Sequence, residues 1–164
     1  PSATLQNLLL NHSFRIGLCS PMSRAQQTWK RLNLGVPCHI DARLREFNFG
    51  EWEGRRIADL EFEQEYLKWK LSLTSFKIGE SGSSFVERVT ALYSEYLLGA
   101  DNFNKGVLIV SHGGVIRLLR SLIMGCDIDR SNSRWIIDHG ECVVFRQIKS
   151  TGESCEAYRF SAFG

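Results

Sequence analysis

The sequence lacks paired cysteine spacing: its five cysteines, Cys19, Cys38, Cys126, Cys142 and Cys155, are odd in number and contain no C-x-x-C. Neither a disulfide framework nor a zinc knuckle is indicated, and a reducing, cytoplasmic setting is the simplest expectation. No apolar run approaches the roughly 18 residues of a membrane span, so no membrane partner is expected. The opening PSATLQNLLLNHS has neither the basic start nor the small-residue cleavage site of a signal peptide. A dominant charge is missing too, with 20 Lys and Arg against 18 Asp and Glu. The basic residues are spread from Arg15 to Arg159 with carboxylates between them, which excludes the concentrated stripe of a nucleic-acid binder. A local cluster suited to a small anion remains open. Internal repeats, low-complexity tracts and linkers are absent as well.

What is there fits one globular α/β domain over residues 1–164. Hydrophobic residues make up 43% of the chain and charged residues 23%, enough to bury a core without staples. Residues 4 to 12 read as the back half of a helix, and Phe14 to Cys19 as a short buried strand. Ser20-Pro21 then marks a helix start, with serine capping the first-turn amides and proline presetting the first helical φ, which puts Arg24 in the first turn. A short stretch at Cys38 to Asp41 precedes LREFNFGEWEG, an aromatic-rich irregular loop. Residues 56 to 72 read as a charged helix and Ser84 to Leu98 as an amphipathic one. The apolar positions of the latter are Phe85, Val89, Leu92, Tyr93, Tyr96 and Leu97, with Glu87, Arg88 and Glu95 mostly on other faces. Val107 to Val110 is a β-branched run typical of a central parallel strand, leading through SHGG into a helix closed by Gly125. Cys142 to Ile148 and Ala157 to Phe160 are strand candidates joined by a polar turn, which favours a terminal hairpin.

In open α/β sheets ligands collect at the carboxyl ends of strands, and two strand-to-helix junctions deliver groups suited to phosphate there. Arg24 offers a fork of donors at a helix start, and His112 followed by two glycines lets backbone approach a ligand closely. A protonated His112 would add charge and donate a hydrogen bond. Hydrolysis of a phosphomonoester also needs a proton for the departing alkoxide; Glu46 in its aromatic loop is a candidate, with Glu51 and Glu53 competing. Asp138-His139-Gly140 reads as a turn before a strand, its aspartate being unsuited to phosphate. His12 and His39 read as surface or helix-end residues.

These residues carry a resemblance. Ser20-Pro21-Met22-Ser23-Arg24-Ala25-Gln26-Gln27-Thr28 resembles the SPxxRAxQT signature of histidine phosphatases of the phosphoglycerate-mutase-like superfamily. Leu44 to Gly54 resembles their LxExxFGxWEG loop, and Val110-Ser111-His112-Gly113-Gly114 their second-histidine motif. Gly79-Glu80-Ser81 is similar to a segment of the branch that includes α-ribazole phosphatases and fructose-2,6-bisphosphatase-like enzymes. The resemblance, running from about Phe14 to Gly125, implies a three-layer sandwich with a mostly parallel sheet flanked by helices. It implies phosphomonoester hydrolysis through a phosphohistidine, with Arg24, His112 and Gly113 binding phosphate and Glu46 donating the proton. His112 would also steady charge in the transition state. Trp52, Glu80 and Ser81 would contact the substrate, a small phosphorylated metabolite. No metal and no organic cofactor are implied, and a homodimer is compatible.

The family pattern begins with a strand ending in Arg-His-Gly, whose histidine is the nucleophile, and no such triplet occurs in residues 1–164. The resemblance therefore implies a preceding strand, loop and part of a helix, on the order of 30 residues. On that expectation the chain is an N-terminally incomplete domain. Two other readings stay open: a non-catalytic phosphoester-binding or scaffold protein of the same fold, and a phosphoglycerate-type mutase, which the short stretch between Gly54 and Gly79 disfavours.

Overall fold

The computed structural model describes residues 3–72, 74–75, 77–98, 105–128, 137–147 and 154–161. In chain order the regular elements begin with α1 (Ala3–Leu10), β1 (Phe14–Cys19), α2 (Ser23–Leu32) and β2 (Cys38–Ile40). Single 3-10 turns at 42–44, 50–52 and 57–59 lead to α3 (Gln64–Leu71), followed by β3 (Lys77–Ile78) and β4 (Glu80–Ser81). The chain continues through α4 (Gly82–Tyr96), β5 (Gly106–Val110), α5 (Gly113–Met124), β6 (Glu141–Gln147) and β7 (Ser154–Ser161).

The two apolar runs that read as buried strands pair in parallel. β1 is the central strand of a three-stranded sheet ordered β2-β1-β5, with both neighbours parallel to it. Alternation along β5 sends its side chains to opposite faces. Leu108 packs with Leu5, Leu9 and Leu32 beneath α1 and α2. Val107 and Ile109 join the larger cluster with Leu18, Phe85, Val89, Leu92 and Leu118 beneath α4 and α5. The architecture is thus the expected α/β arrangement of a parallel sheet flanked by helices. β6 and β7 form the expected antiparallel hairpin; Ile148 and the polar turn at 149–153 lie outside the described residues.

Two expectations need correction. Residues 56–72 are not one helix: α3 occupies only Gln64–Leu71, because the Glu63 carboxylate just before it is held by Trp52 Nε1 at 2.8 Å and by Arg55 at 2.6 Å. These contacts keep the preceding stretch in turns. Nor does Ser20 cap α2, which begins at Ser23 with Met22 at its N-cap position and no side-chain cap. Ser20 is used elsewhere. Arg24 nonetheless falls in the first turn, as expected.

Candidate active site

The register of the sheet builds the site. Cys19 lies opposite Val110, so β1 and β5 end together, and the Ser20 amide donates to the Val110 carbonyl at 3.0 Å. The residues after both strands therefore emerge side by side at the carboxyl edge. Ser111 Oγ donates to the Leu44 carbonyl at 2.8 Å, drawing the aromatic loop up to the end of β5. His112 takes an extended conformation at the N-cap of α5, and Gly113 begins the helix.

Arg24 and His112 meet directly. Arg24 Nε donates to His112 Nδ1 at 3.2 Å. With Nδ1 accepting, the imidazole proton sits on Nε2, 2.8 Å from Ser20 Oγ. That hydroxyl also accepts from the Met22 amide at 3.3 Å. Both Ser20 and His112 are buried. Burial, followed by the positive charges of Arg24 and Arg88, holds the His112 pKa down from 6.5 to about 4. The imidazole is therefore neutral near pH 7 with no anion beside it.

Glu46 closes the other side. Its Oε1 accepts from the Phe47 amide at 3.0 Å and its Oε2 from the Gly114 amide at 3.3 Å. A Cβ on Gly114 would stand 2.5 Å from Glu46 Oε1, so the absent side chain lets the carboxylate reach the start of α5. Glu51 and Glu53 are exposed. Arg24, Glu46, His112, Gly113 and Gly114 all line one cavity of about 1630 Å³, which neither Glu51 nor Glu53 reaches. Phe49, Ile57, Trp69 and Leu71 form an apolar part of its wall.

Trp52, Glu80 and Ser81 do not line this cavity. Trp52 is buried with its indole N–H on Glu63. Ser81 caps α4 through the Ser84 amide, and Glu80 is ion-paired with Arg88 at 2.6 Å. Each side chain is thus engaged in holding a turn or loop. The Asp138–Gly140 segment is the turn before β6 that the sequence suggested, and it borders the same cavity. Sequence reasoning missed Ser20 as a partner of His112, having assigned its hydroxyl to helix capping. It also missed Arg88. Cys19, next to Ser20, is no nucleophile: burial, reinforced by Cys38, pushes its thiol up to about 11. Among the described residues no group of three or more His, Cys, Asp or Glu is placed to hold a metal ion.

Comparison with known proteins bears on the family and the fold. The profile of the histidine phosphatase superfamily (branch 1) matches residues 2–159. The adenosylcobalamin/alpha-ribazole phosphatase of Salmonella typhimurium strain LT2 is 37% identical over 122 residues, which cover 71% of this chain and 59% of that protein. The glucosyl-3-phosphoglycerate phosphatase of Mycobacterium tuberculosis is 29% identical over 116 residues, 64% of this chain and 52% of that one. The chain thus spans little more than half the length of these curated relatives. The crystal structure of the alpha-ribazole phosphatase from Shigella flexneri superposes with a TM-score of 0.76 at 29% identity, covering 96% of this chain and 79% of that one. From its motifs, the meeting of Arg24 with His112 and the profile match over nearly its whole length, the chain belongs to the histidine phosphatase superfamily, branch 1.

Proposed function

We propose that this protein hydrolyses a phosphomonoester of a small metabolite through a phosphohistidine intermediate, the attacking histidine being supplied from outside residues 1–164. The observation that carries the reading is the convergence of Arg24, His112 and Glu46 on one cavity at the carboxyl edge of a parallel sheet. Arg24 supplies a fixed cationic fork for the phosphoryl oxygens. Burial first, and the charges of Arg24 and Arg88 second, keep His112 neutral; a bound dianion would offset those charges and face the imidazole with a counter-charge, so His112 would take up a proton and donate to phosphate. The nucleophilic nitrogen forms a P–N bond as the ester P–O bond breaks, and Glu46 passes its proton to the departing alkoxide. Water then attacks the phosphohistidine, giving its proton back to Glu46 and releasing inorganic phosphate.

His112 does not suit the attacking role itself, since Arg24 and Ser20 occupy its two ring nitrogens. His12 is exposed beyond α1 with Nδ1 against the Leu8 carbonyl. The names of the relatives, all phosphatases of phosphorylated metabolites among those compared above, support hydrolysis over phosphoryl transfer between hydroxyls. A cytoplasmic setting belongs to the same reading, from the odd number and spacing of the five cysteines in the sequence.

The test is hydrolysis of aryl phosphates by the full-length protein without added metal, with and without vanadate, alongside acid-labile labelling of a histidine. Glu46→Gln should slow esters with poor leaving groups by roughly a hundredfold or more while sparing activated ones. An absolute requirement for metal, or equal losses on both ester classes, would overturn this assignment.

A further inference from the structure

Glu46 sits in a loop without regular secondary structure, and such a loop leaves carbonyl oxygens without ladder partners. Three of these oxygens turn toward one side chain on α4. Arg88 Nη1 donates to the carbonyls of Arg43 at 2.6 Å and Arg45 at 2.8 Å, and Nη2 to that of Glu46 at 3.4 Å. The remaining donors go to Glu80, Nε to Oε1 at 2.6 Å and Nη2 to Oε2 at 2.9 Å. Both side chains are less than one-fifth exposed, and the guanidinium lies 4.8 Å above the Phe85 ring. Glu80 extends the clamp: its Oε2 accepts from the Asn48 amide at 3.4 Å, and its own amide donates to the Asn48 carbonyl at 3.0 Å. Residues 43, 45, 46 and 48 are thereby fixed from one point.

We propose that Arg88, seated in its bidentate pair with Glu80, is a positioning residue for the proton donor: it holds the 43–48 backbone so that the Glu46 carboxylate stays against Gly114. The inference rests on the reading of Glu46 as general acid. Arg88 does not line the cavity, and Arg88→Lys keeps the positive charge that bears on His112, so what the substitution alters is the hold on the loop. Only a planar fork with five donors can serve two carboxylate oxygens and three carbonyls together; a lysine has three donors and no plane. Phe85, one turn earlier on α4, lies 3.7 Å from where a Gly114 Cβ would be and packs edge-on against Phe47 at 5.4 Å. Helix, loop and α5 start are therefore in mutual contact, and a loosened loop would move Glu46 relative to His112.

The experiment compares kcat and KM of the full-length protein over a series of phosphate esters with graded leaving groups, for Arg88→Lys, Glu46→Gln and the double variant. Arg88→Lys should lower kcat roughly tenfold to a hundredfold on poor leaving groups, leave activated esters and KM nearly unchanged, and add little to Glu46→Gln. A loss of the same size in the Glu46→Gln background, or one equal across leaving groups, overturns the positioning role. If Glu46→Gln itself shows no leaving-group dependence, the proton-donor reading fails and the proposal falls with it. Should Arg88→Lys not fold, Glu80→Gln keeps the side-chain size but sets an NH2 donor against one side of the guanidinium, leaving a single acceptor where the pair had two. It should give the same leaving-group pattern at smaller amplitude, and a flat pattern overturns the proposal.

Discussion

In the proposed mechanism His112 is neutral while the site is empty and charged once phosphate is bound, and its surroundings favour the neutral form. Seated beside Ser20 with Arg24 on its other nitrogen, it holds a pKa of about 4. The unfolded chain takes up this proton below about pH 6.5, while the folded protein resists it until near pH 4. The contribution of His112 to folding stability is therefore complete above about pH 6.5 and is lost as pH drops through that window, on the order of 3 kcal/mol if the whole shift is expressed. Imidazole resonances followed by NMR against pH should show one histidine with a midpoint near 4, moving up by more than a unit when vanadate is added. A His112 that titrates near 6.5 in both conditions would remove the basis for the charge switch. Arg24→Ala should itself raise the midpoint by removing one of the opposing charges.

At the scale of elements, the loop carrying Glu46 and the β3–β4 hairpin touch backbone to backbone. Gly50 and Gly79 both have left-handed backbones, with φ of +53° and +61°. A Cβ on Gly79 would stand 2.5 Å from the Asn48 carbonyl oxygen and 2.6 Å from the Gly50 nitrogen. Neither neighbour is the yielding end of a side chain. Gly79→Ala should therefore cost more than the roughly 1–3 kcal/mol typical of a strained left-handed residue. Gly54→Ala is the control, because Gly54 has φ of +79° with nothing within 4 Å of its would-be Cβ. Urea unfolding of the two variants should rank Gly79→Ala well below Gly54→Ala in stability; equal losses would mean the close approach carries no weight.

Across the whole molecule, the parts legible in the sequence are those encoded by neighbours in the chain. β1 is found where Phe14 to Cys19 read as a strand, and α5 buries Val115, Leu118 and Leu119 at helical spacing behind the SHGG turn. Arg24, Glu46, His112 and Gly113 converge because strand ends and helix starts are local signals, while the register that brings them together is not. What escaped detection depends on distant partners. Arg88 reads as a polar position of an amphipathic helix until the carbonyls of residues more than forty positions earlier are placed over it. The stretch 56–72 reads as helix by composition, but Trp52 and Arg55 hold Glu63 and stop it short. Glu80 and Ser81 carry a family motif, yet their side chains close an ion pair and a helix cap, and sequence spacing alone does not distinguish these uses.

The cavity has a practical consequence for anyone handling residues 1–164. Among the described residues β5 has no partner along its outer edge, and Leu5, Leu9, Val107 and Val143 are among the apolar residues that line the cavity. Greasy space of this kind takes up anilinonaphthalene sulfonate without any unfolding. Folded protein should then fluoresce brightly with the dye at room temperature, so that thermal melts followed by dye start high and flatten. A dark native baseline would show that the gap is closed in solution.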